Sequence, residues 1–192
     1  MSYLYVNSFI KLKSFNMLKK KIKKKIRKIL NNKFLIKNIS DIYSWVKVDE
    51  FSYFLRNEDS NSKMLLSDNG YEPHLIKIFK KLIKPNKEII DLGANIGIHT
   101  LFFSKLVGDK GRVVSIEPQK EIFYQLCTNL LLNNIKNVDA LNYACTNEQN
   151  LYYEMEEIDW SNSGNSKIQK KYKKKIKSNY IRSIKLDDLD IS

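Results

Sequence analysis

One short run constrains the fold of this chain more than any other: Ile89-Ile90-Asp91-Leu92-Gly93-Ala94-Asn95-Ile96-Gly97. An apolar strand pattern ends in an acid, a turn with two glycines follows, and a helical pattern begins directly afterwards. Because Gly93 and Gly97 lack a β carbon, the turn can be tight and a ligand can approach the backbone closely. The free N–H groups at the start of a helix bind polar ligand atoms. The run therefore predicts a ligand-binding turn between a strand and a helix.

Strand and helix patterns alternate from Glu88 onward. The periodicity predicts strands at 88–92, 113–116 and 138–143, with helices at 97–107 and 119–133 between them. This order is βαβαβ, the half-unit of a doubly wound parallel sheet. The second strand ends at Glu117, 24 residues beyond Gly93. In this topology a carboxylate at that place points at the ribose of a bound nucleoside and accepts hydrogen bonds from its hydroxyls.

The glycine spacing argues against a nicotinamide dinucleotide. That fingerprint requires glycines at 93, 95 and 98, whereas this chain has Asn95 and Ile98. The spacing Asp-x-Gly-x-Asn-x-Gly instead resembles the methyltransferase version of the loop. In that version Asp91 orders the turn, and residues 93–97 pack on the methionine and ribose parts of the cofactor.

Over residues 70–190 the chain resembles the FkbM-type methyltransferases. The similarity rests mainly on Asp91–Gly97 followed by Glu117-Pro118. Weaker matches are Tyr71-Glu72-Pro73, Ile83-Lys84-Pro85, Gly111-Arg112-Val113-Val114, Asn129-Leu130, Asn133-Asn134, Asn162-Ser163-Gly164 and Leu186-Asp187-Asp188-Leu189. Asn86 and Asn134 stand where the family often has glycine, a mild departure because Asn tolerates the left-handed conformation.

The resemblance implies an α/β fold, the Rossmann-like class I methyltransferase fold, with S-adenosylmethionine as cofactor. The implied reaction is O-methylation of a sugar or another hydroxyl-bearing metabolite, so a small-molecule or glycan acceptor is expected. The resemblance assigns cofactor binding to Glu72, Asp91, Gly93, Ala94, Asn95, Gly97 and Glu117. His74 and His99 are candidate general bases by residue type, with ordinary packing or surface roles as the alternative.

A departure from the family pattern concerns the C-terminus. In the family, Leu-Asp-Asp-Leu leads into a fourth sheet strand, whereas this sequence ends at Ser192. We therefore expect an incomplete sheet whose first strand has an exposed apolar edge, to be covered by a hairpin near 150–154 and 179–185, a second fragment or another copy. Two functions remain open: a methyltransferase, or a truncated non-catalytic module that binds the cofactor, a membrane or a partner.

Positive charge is concentrated at the N-terminus. The net charge is +13, residues 1–40 hold 12 Lys or Arg and no acid, and residues 41–192 hold 22 basic and 21 acidic residues. Residues 9–30 predict a basic amphipathic helix with an apolar arc of roughly 120° at ~100° per residue. That arc either packs on the domain or binds an anionic membrane surface. Nucleic-acid binding is not favoured, because no recognised module or aromatic interleaving supports it.

Composition bounds the class of protein. Apolar residues make up 43% of the chain and charged residues 29%, which is typical of a globular protein. No run approaches the ~20 apolar residues of a membrane span, and no secretory signal is recognisable. We therefore expect a cytoplasmic protein, peripheral at a membrane surface if the N-terminal helix binds there. Two cysteines in a chain of this length do not suggest a disulfide framework, so we expect Cys127 and Cys145 to be free thiols. The two cysteines and two histidines do not have the spacing of metal ligands.

The chain divides into three segments. They are a basic amphipathic helical segment at 1–40, short strands and a connector at 41–70, and the N-terminal half of a methyltransferase domain at 71–192. Within the connector, alternation predicts strands at 43–48 and 51–55.

Three further expectations concern local structure. A polar turn is expected at 57–62. Pro73 begins a helix whose apolar residues, from Leu75 to Ile83, predict a buried face. The lysine run at 167–177 is interpreted as a solvated loop, with a binding patch as the alternative.

Overall fold

The computed structural model describes residues 34–38, 40–173 and 180–189, so the predicted helix at 9–30 lies outside the described residues. The helices are α1 Ser60–Leu65, α2 Pro73–Leu82, α3 Ile98–Val107 and α4 Lys120–Leu132. The strands are β1 Phe34–Asn38, β2 Tyr43–Val48, β3 Phe51–Arg56, β4 Glu88–Leu92, β5 Arg112–Ile116, β6 Val138–Leu141, β7 Ala144–Cys145, β8 Tyr152–Met155, β9 Ile168–Tyr172 and β10 Tyr180–Ile184. Among the described helices, none is long and apolar enough to span a bilayer.

The predicted βαβαβ unit forms a three-stranded parallel sheet with the order β4-β5-β6. β5 lies in the centre, where Val113, Val114 and Ile116 are at most 2% exposed. Parallel strands need crossover connections, and α3 and α4 supply them. The α/β, Rossmann-like fold predicted from the sequence is confirmed.

α4 joins the parallel sheet to the antiparallel sheet β1-β2-β3. Asn129 of α4 is fully buried; its side-chain Oδ1 accepts from Phe54 N at 2.6 Å and its Nδ2 donates to Ile96 O at 2.7 Å. A buried amide is stable there because both of its ends are paired. This one side chain therefore links the strand β3 to the turn that precedes α3.

The predicted strands β2 and β3 are confirmed as an antiparallel pair with Tyr43 opposite Arg56. The polar turn expected at 57–62 is wrong in its second half, because α1 begins at Ser60. The Asp59 carboxylate accepts from Ser62 N at 2.9 Å and caps the helix. Asp is a preferred N-cap residue, but a six-residue helix is too short to show apolar periodicity.

The segment after β6 forms a separate sheet with the order β7-β10-β8-β9. The pairing expected between strands near 150–154 and 179–185 is confirmed as the antiparallel pair β8 and β10. The two strands do not form a hairpin, because β9 lies between them in the chain and pairs with β8 as well. The solvated loop expected at 167–177 is wrong for its described first part, where β9 pairs with β8. The Tyr172 and Tyr180 rings stack at a centroid distance of 4.7 Å, and such packing stabilises a strand despite its lysines.

α2 lies where predicted, but its apolar face is not fully buried. None of its residues is buried, and Ile78 and Leu82 are 47% and 71% exposed. The next element along the chain, β4, pairs with β5, and no other described strand pairs with β4. The β8–β10 pair belongs to the other sheet and leaves the second edge of β4 uncovered within the described ranges.

Candidate functional site

The turn between β4 and α3 is held against the end of β5. Gly93 N and Ala94 N donate to Ile116 O at 2.9 and 3.0 Å. Gly93 and Gly97 have φ values of +74° and +87°, which favour glycine. A β carbon on Gly97 would lie 2.5 Å from Leu126 Cδ1, whereas nothing lies within 4 Å of one on Gly93. Gly97 thus permits helix packing, and Gly93 leaves open space for a ligand.

The Glu117 carboxylate lies directly beneath this turn and is 5% exposed. Its Oε2 accepts from Asn95 N at 2.9 Å and its Oε1 accepts from Gln119 N at 2.8 Å. Burial raises the pKa of Glu117 to about 7, although both backbone hydrogen bonds oppose the shift. Each carboxylate oxygen keeps further acceptor capacity, so Glu117 can also accept from a ligand hydroxyl in the cleft.

Asp91, at the end of β4, contacts α3 instead of the turn. Thr100 Oγ1 donates to Asp91 Oδ2 at 2.6 Å, and Ser115 Oγ donates to Thr100 Oγ1 at 3.1 Å. Burial raises the pKa of Asp91, and the Thr100 hydrogen bond opposes this shift. The chain of hydroxyls connects β4, α3 and β5 below the site.

Glu72 precedes α2 in a left-handed conformation, with φ 41° and ψ 56°. Its Oε2 lies 3.2 Å from His99 Nε2 on α3. Burial lowers the pKa of His99, and the nearby carboxylates of Asp91 and Glu72 oppose the shift. Of the two histidines, His99 therefore reaches the site region, whereas His74 is exposed on the first turn of α2.

Three cavities lie along the carboxyl ends of the parallel strands. The first, of about 280 Å³, is lined by Asn61, Tyr71, Gly93, Asn95, Glu117, Pro118, Gln119, Ser163, Gly164 and Ser166. The second, of about 610 Å³, shares Pro118 and Gln119 with it and extends past Asn142 and Trp160. The third, of about 40 Å³, is lined by Tyr71, Asp91, His99, Ile98 and the turn residues Gly93–Ile96. The shared residues make these cavities one continuous cleft.

The structure brings most of the predicted site residues to this cleft. Gly93, Asn95 and Glu117 line the 280 Å³ cavity, and Asp91 and Ala94 line the small one. Gly97 packs against Leu126 behind the turn. Glu72 lies at the periphery, against His99.

Sequence reasoning did not assign Asn61, Tyr71 or Ser163 to the site. Asn61 Nδ2 and Asn95 Nδ2 donate to Ser163 Oγ at 3.3 and 3.4 Å, and Tyr71 Oη donates to Asn61 Oδ1 at 3.4 Å. These bonds close one wall of the cleft with segments far apart in the chain. Tyr71 and Ser163 belong to motif matches, but no pattern marked Asn61.

The cleft offers carboxylates, amides and hydroxyls. Among the described residues, neither Lys nor Arg lines the 280 Å³ or the 40 Å³ cavity. No group of His, Cys, Asp and Glu in the described part of the chain is arranged to hold a metal ion. Open space over Gly93 and a buried carboxylate beyond the turn together fit the methionine and ribose parts of S-adenosylmethionine.

Several solved structures are similar to part of the chain. A SAM-dependent methyltransferase from Aquifex aeolicus is 28% identical, with a TM-score of 0.35, over 48% of this chain and 44% of that one. TYW2 from M. jannaschii in complex with AdoMet is 22% identical, with a TM-score of 0.42, over 56% and 46%. A SAM-dependent O-methyltransferase from Thermotoga maritima is 20% identical, with a TM-score of 0.38, over 52% and 40%. The chain thus spans less than half of each of these three proteins.

No curated protein matches this chain. Its family is therefore assigned from the match to a family model. The model of protein-L-isoaspartate(D-aspartate) O-methyltransferase matches residues 16–145. The match covers more than half of the chain and includes the turn, Asp91 and Glu117. The methyltransferase class predicted from the sequence is therefore confirmed, and the chain belongs to the protein-L-isoaspartate(D-aspartate) O-methyltransferase family of S-adenosylmethionine-dependent methyltransferases.

Proposed function

We propose that this chain binds S-adenosylmethionine in the cleft above β4 and β5 and methylates a hydroxyl oxygen of a neutral small-molecule or glycan acceptor. The observation that carries the proposal is the Glu117 carboxylate, buried beneath the turn, bonded to Asn95 N and lining the same cavity as Gly93. A carboxylate so placed can accept from a ribose hydroxyl, while the open space over Gly93 admits the rest of the cofactor.

The acceptor class follows from charge. The carboxylates of Glu72, Asp91 and Glu117 surround the turn, and no described Lys or Arg side chain lines the 280 Å³ cavity beside them. Lys120 lines the adjoining 610 Å³ cavity, but Glu121, Glu156 and Glu157 line it too, so that part of the cleft is also net acidic. An acceptor carboxylate would lie next to like charges, which is unfavourable. A neutral hydroxyl avoids that repulsion and can bond to the amides of Asn61 and Asn95. The matched family's description names a protein carboxylate as acceptor, whereas the FkbM resemblance implies a hydroxyl. The charge of the cleft supports the hydroxyl.

The chain's own residues have mainly a positioning role in this reaction. The cofactor supplies an electrophilic methyl group when bound. Glu117 and the 93–97 turn fix its orientation, and the wall formed by Asn61, Ser163 and Tyr71 limits where an acceptor can lie. Holding two reactants in line accounts for much of the acceleration in transfers of this kind.

Calorimetric titration of the chain with S-adenosylmethionine and with NAD tests the cofactor. We expect the former to bind more tightly, and Glu117→Ala to weaken it by about 1.5–3 kcal/mol, the range of charge-assisted hydrogen bonds. Glu50→Ala is the control, because Glu50 pairs with Lys105 on the last turn of α3, away from the cleft. Tighter binding of NAD, or an equal affinity of wild type and Glu117→Ala, contradicts the assignment.

Transfer of a labelled methyl group tests the acceptor. The chain should label sugars and glycoconjugates but not peptides that carry isoaspartyl carboxylates. Labelling of the peptides alone would replace the proposed acceptor by a carboxylate. Cofactor binding without labelling of either class would favour the non-catalytic cofactor-binding module.

A further inference from the structure

The inward side of α2 packs against α3. The Phe79 ring meets the rings of Phe103 and His99 edge-on, at centroid distances of 4.9 and 5.2 Å. Ile83, one turn further along the chain, packs against the same cluster as Phe79. These contacts fix the helix on the domain and determine which of its side chains remain at the surface.

The outward side of α2 combines apolar side chains with lysines. Ile78 and Leu82 lie one turn apart and are 47% and 71% exposed. Because successive helical residues are rotated by ~100°, Lys77 and Lys81 lie directly beside them, and further exposed lysines follow the end of the helix. We define the α2 surface as the exposed side chains of Lys77, Ile78, Lys81, Leu82, Lys84 and Lys87.

The positive charge of the α2 surface is not neutralised within the described fold. Residues 73–87 hold five lysines and no acid, whereas residues 41–192 as a whole hold 22 basic and 21 acidic residues. The flanking carboxylates have other partners, since Glu72 contacts His99 and Glu88 pairs with Arg112. Among the described residues, no carboxylate forms an ion pair with any of the five lysines.

The chemistry of the α2 surface restricts what can bind there. Apolar side chains bordered by lysines are typical of helices that lie on an anionic bilayer, where the apolar groups insert and the lysines reach the headgroups. A second copy in a two-fold contact would place lysines against lysines, which is unfavourable. Surfaces that bind single-stranded nucleic acid combine basic residues with aromatic rings for base stacking, and the α2 surface has no aromatic residue.

We propose that the α2 surface docks the chain on an anionic lipid bilayer. Ile78 and Leu82 insert between the headgroups, and the lysines of the α2 surface contact the negative charges around them. No residue of 73–87 lines the three cavities of the cleft, so this inference does not depend on the proposed methyl transfer.

Flotation of the full chain with lipid vesicles tests the proposal. The vesicles contain either phosphatidylcholine alone or equal parts of phosphatidylcholine and phosphatidylserine. The wild type should bind only the anionic vesicles, and added salt should weaken the binding. The double variant Lys77→Gln with Lys81→Gln should bind about thirtyfold more weakly, which corresponds to about 1 kcal/mol for each lysine. Leu82→Ser should bind about tenfold more weakly, because it removes an inserted apolar side chain.

Matched variants elsewhere on the chain are the controls. Leu131→Ser removes an apolar side chain that is 78% exposed on α4. Lys47→Gln with Lys167→Gln removes the same charge from exposed positions in β2 and just before β9. Both controls should bind the anionic vesicles as the wild type does. Circular dichroism checks that every variant is folded, and if Leu82→Ser is not, the lysine variant decides.

The α2 variants are made in the full chain, so any contribution of residues 9–30 stays constant. Unchanged vesicle binding in these variants would show that another part of the chain binds the lipid, and would overturn the proposal. Equal binding to both kinds of vesicle, or no binding by the wild type, would also overturn it. RNA binding that only the α2 lysine variant weakens, without vesicle binding, would assign the surface to nucleic acid. A dimer in size-exclusion chromatography that Leu82→Ser abolishes would assign it to a second copy.

Discussion

β4 and β5 are neighbouring parallel strands with similar apolar sequences and different environments. From Val113 to Ile116, β5 is fully buried, whereas β4 is half-buried and its last residue, Leu92, is 50% exposed. Leu92 lies directly opposite Ile116 in the register. The difference teaches that an apolar strand pattern predicts the strand but not its place in the sheet, because a central and an edge strand of a parallel sheet have the same pattern.

Each of the two strands has a carboxylate at its C-terminal end, and the two carboxylates differ in what holds them in place. Glu117, after the central strand, accepts from two backbone N–H groups and has a pKa raised to about 7 by burial. Asp91, near the end of the edge strand, accepts from the Thr100 side chain. Backbone N–H groups hold the Glu117 carboxylate in place whenever the turn is folded. The position of the Asp91 carboxylate depends on the side-chain hydroxyl of Thr100. The following experiments test this contrast.

Truncation of the register pair Ile116 and Leu92 should give the largest difference. Ile116→Ala should lower the free energy of unfolding by about 3 kcal/mol, because it leaves a cavity in a fully buried site. Leu92→Ala should cost less than about 1 kcal/mol, because that side chain is half exposed. Urea unfolding followed by circular dichroism measures both. Equal losses would show that β4 is covered in solution and that the two strands are equivalent.

The pH dependence of stability should report on Glu117. The folded chain binds this proton more tightly than the unfolded chain, because the pKa is about 7 in the fold and 4.5 in its absence. The free energy of unfolding should therefore fall as pH rises from about 4.5 to about 7, by about 3 kcal/mol from this group. Glu117→Gln cannot ionise, so subtracting its profile from that of wild type isolates the contribution. A flat difference would mean that Glu117 is solvated in the folded chain.

Removal of the hydroxyl that bonds to Asp91 should have a smaller effect. Thr100→Val should cost about 2 kcal/mol at neutral pH, the range for a hydrogen bond to a charged group. Ser115→Ala is the neutral comparison and should cost about 1 kcal/mol, since the Ser115 hydroxyl donates to an uncharged hydroxyl, that of Thr100. The loss in Thr100→Val should shrink at low pH, where Asp91 is protonated. Thermal unfolding at pH 4 and pH 8 measures it, and a pH-independent loss would assign the effect to packing.

Local patterns predicted those elements whose signal lies within a few residues. The strand at 88–92 and the two helices after it match to within one residue, because a continuous apolar run and a 3.6-residue repeat depend only on neighbouring positions. β9 was missed because its stability comes from pairing with β8 and from the Tyr172–Tyr180 stack. The partial exposure of α2 was missed because periodicity shows which face is apolar, not what covers it.

The residues of the candidate site also fall into those that local sequence patterns predict and those that they do not. Gly93, Gly97 and Glu117 are predictable because a positive φ and a strand end are local requirements. Asn61 carried no signal, since its amide matters only through Ser163, 102 residues later in the chain.

The sequence by itself determined the βαβαβ order, the ligand-binding turn and the carboxylate beyond it, because each follows from short-range periodicity and backbone conformation. Only the tertiary structure decided that His99 faces Glu72, that Ser163 closes the cleft over Asn95, and that Glu117 is buried deeply enough to raise its pKa. These features depend on contacts between segments distant in the chain and on exclusion of water. Neither is encoded in the spacing of neighbouring residues.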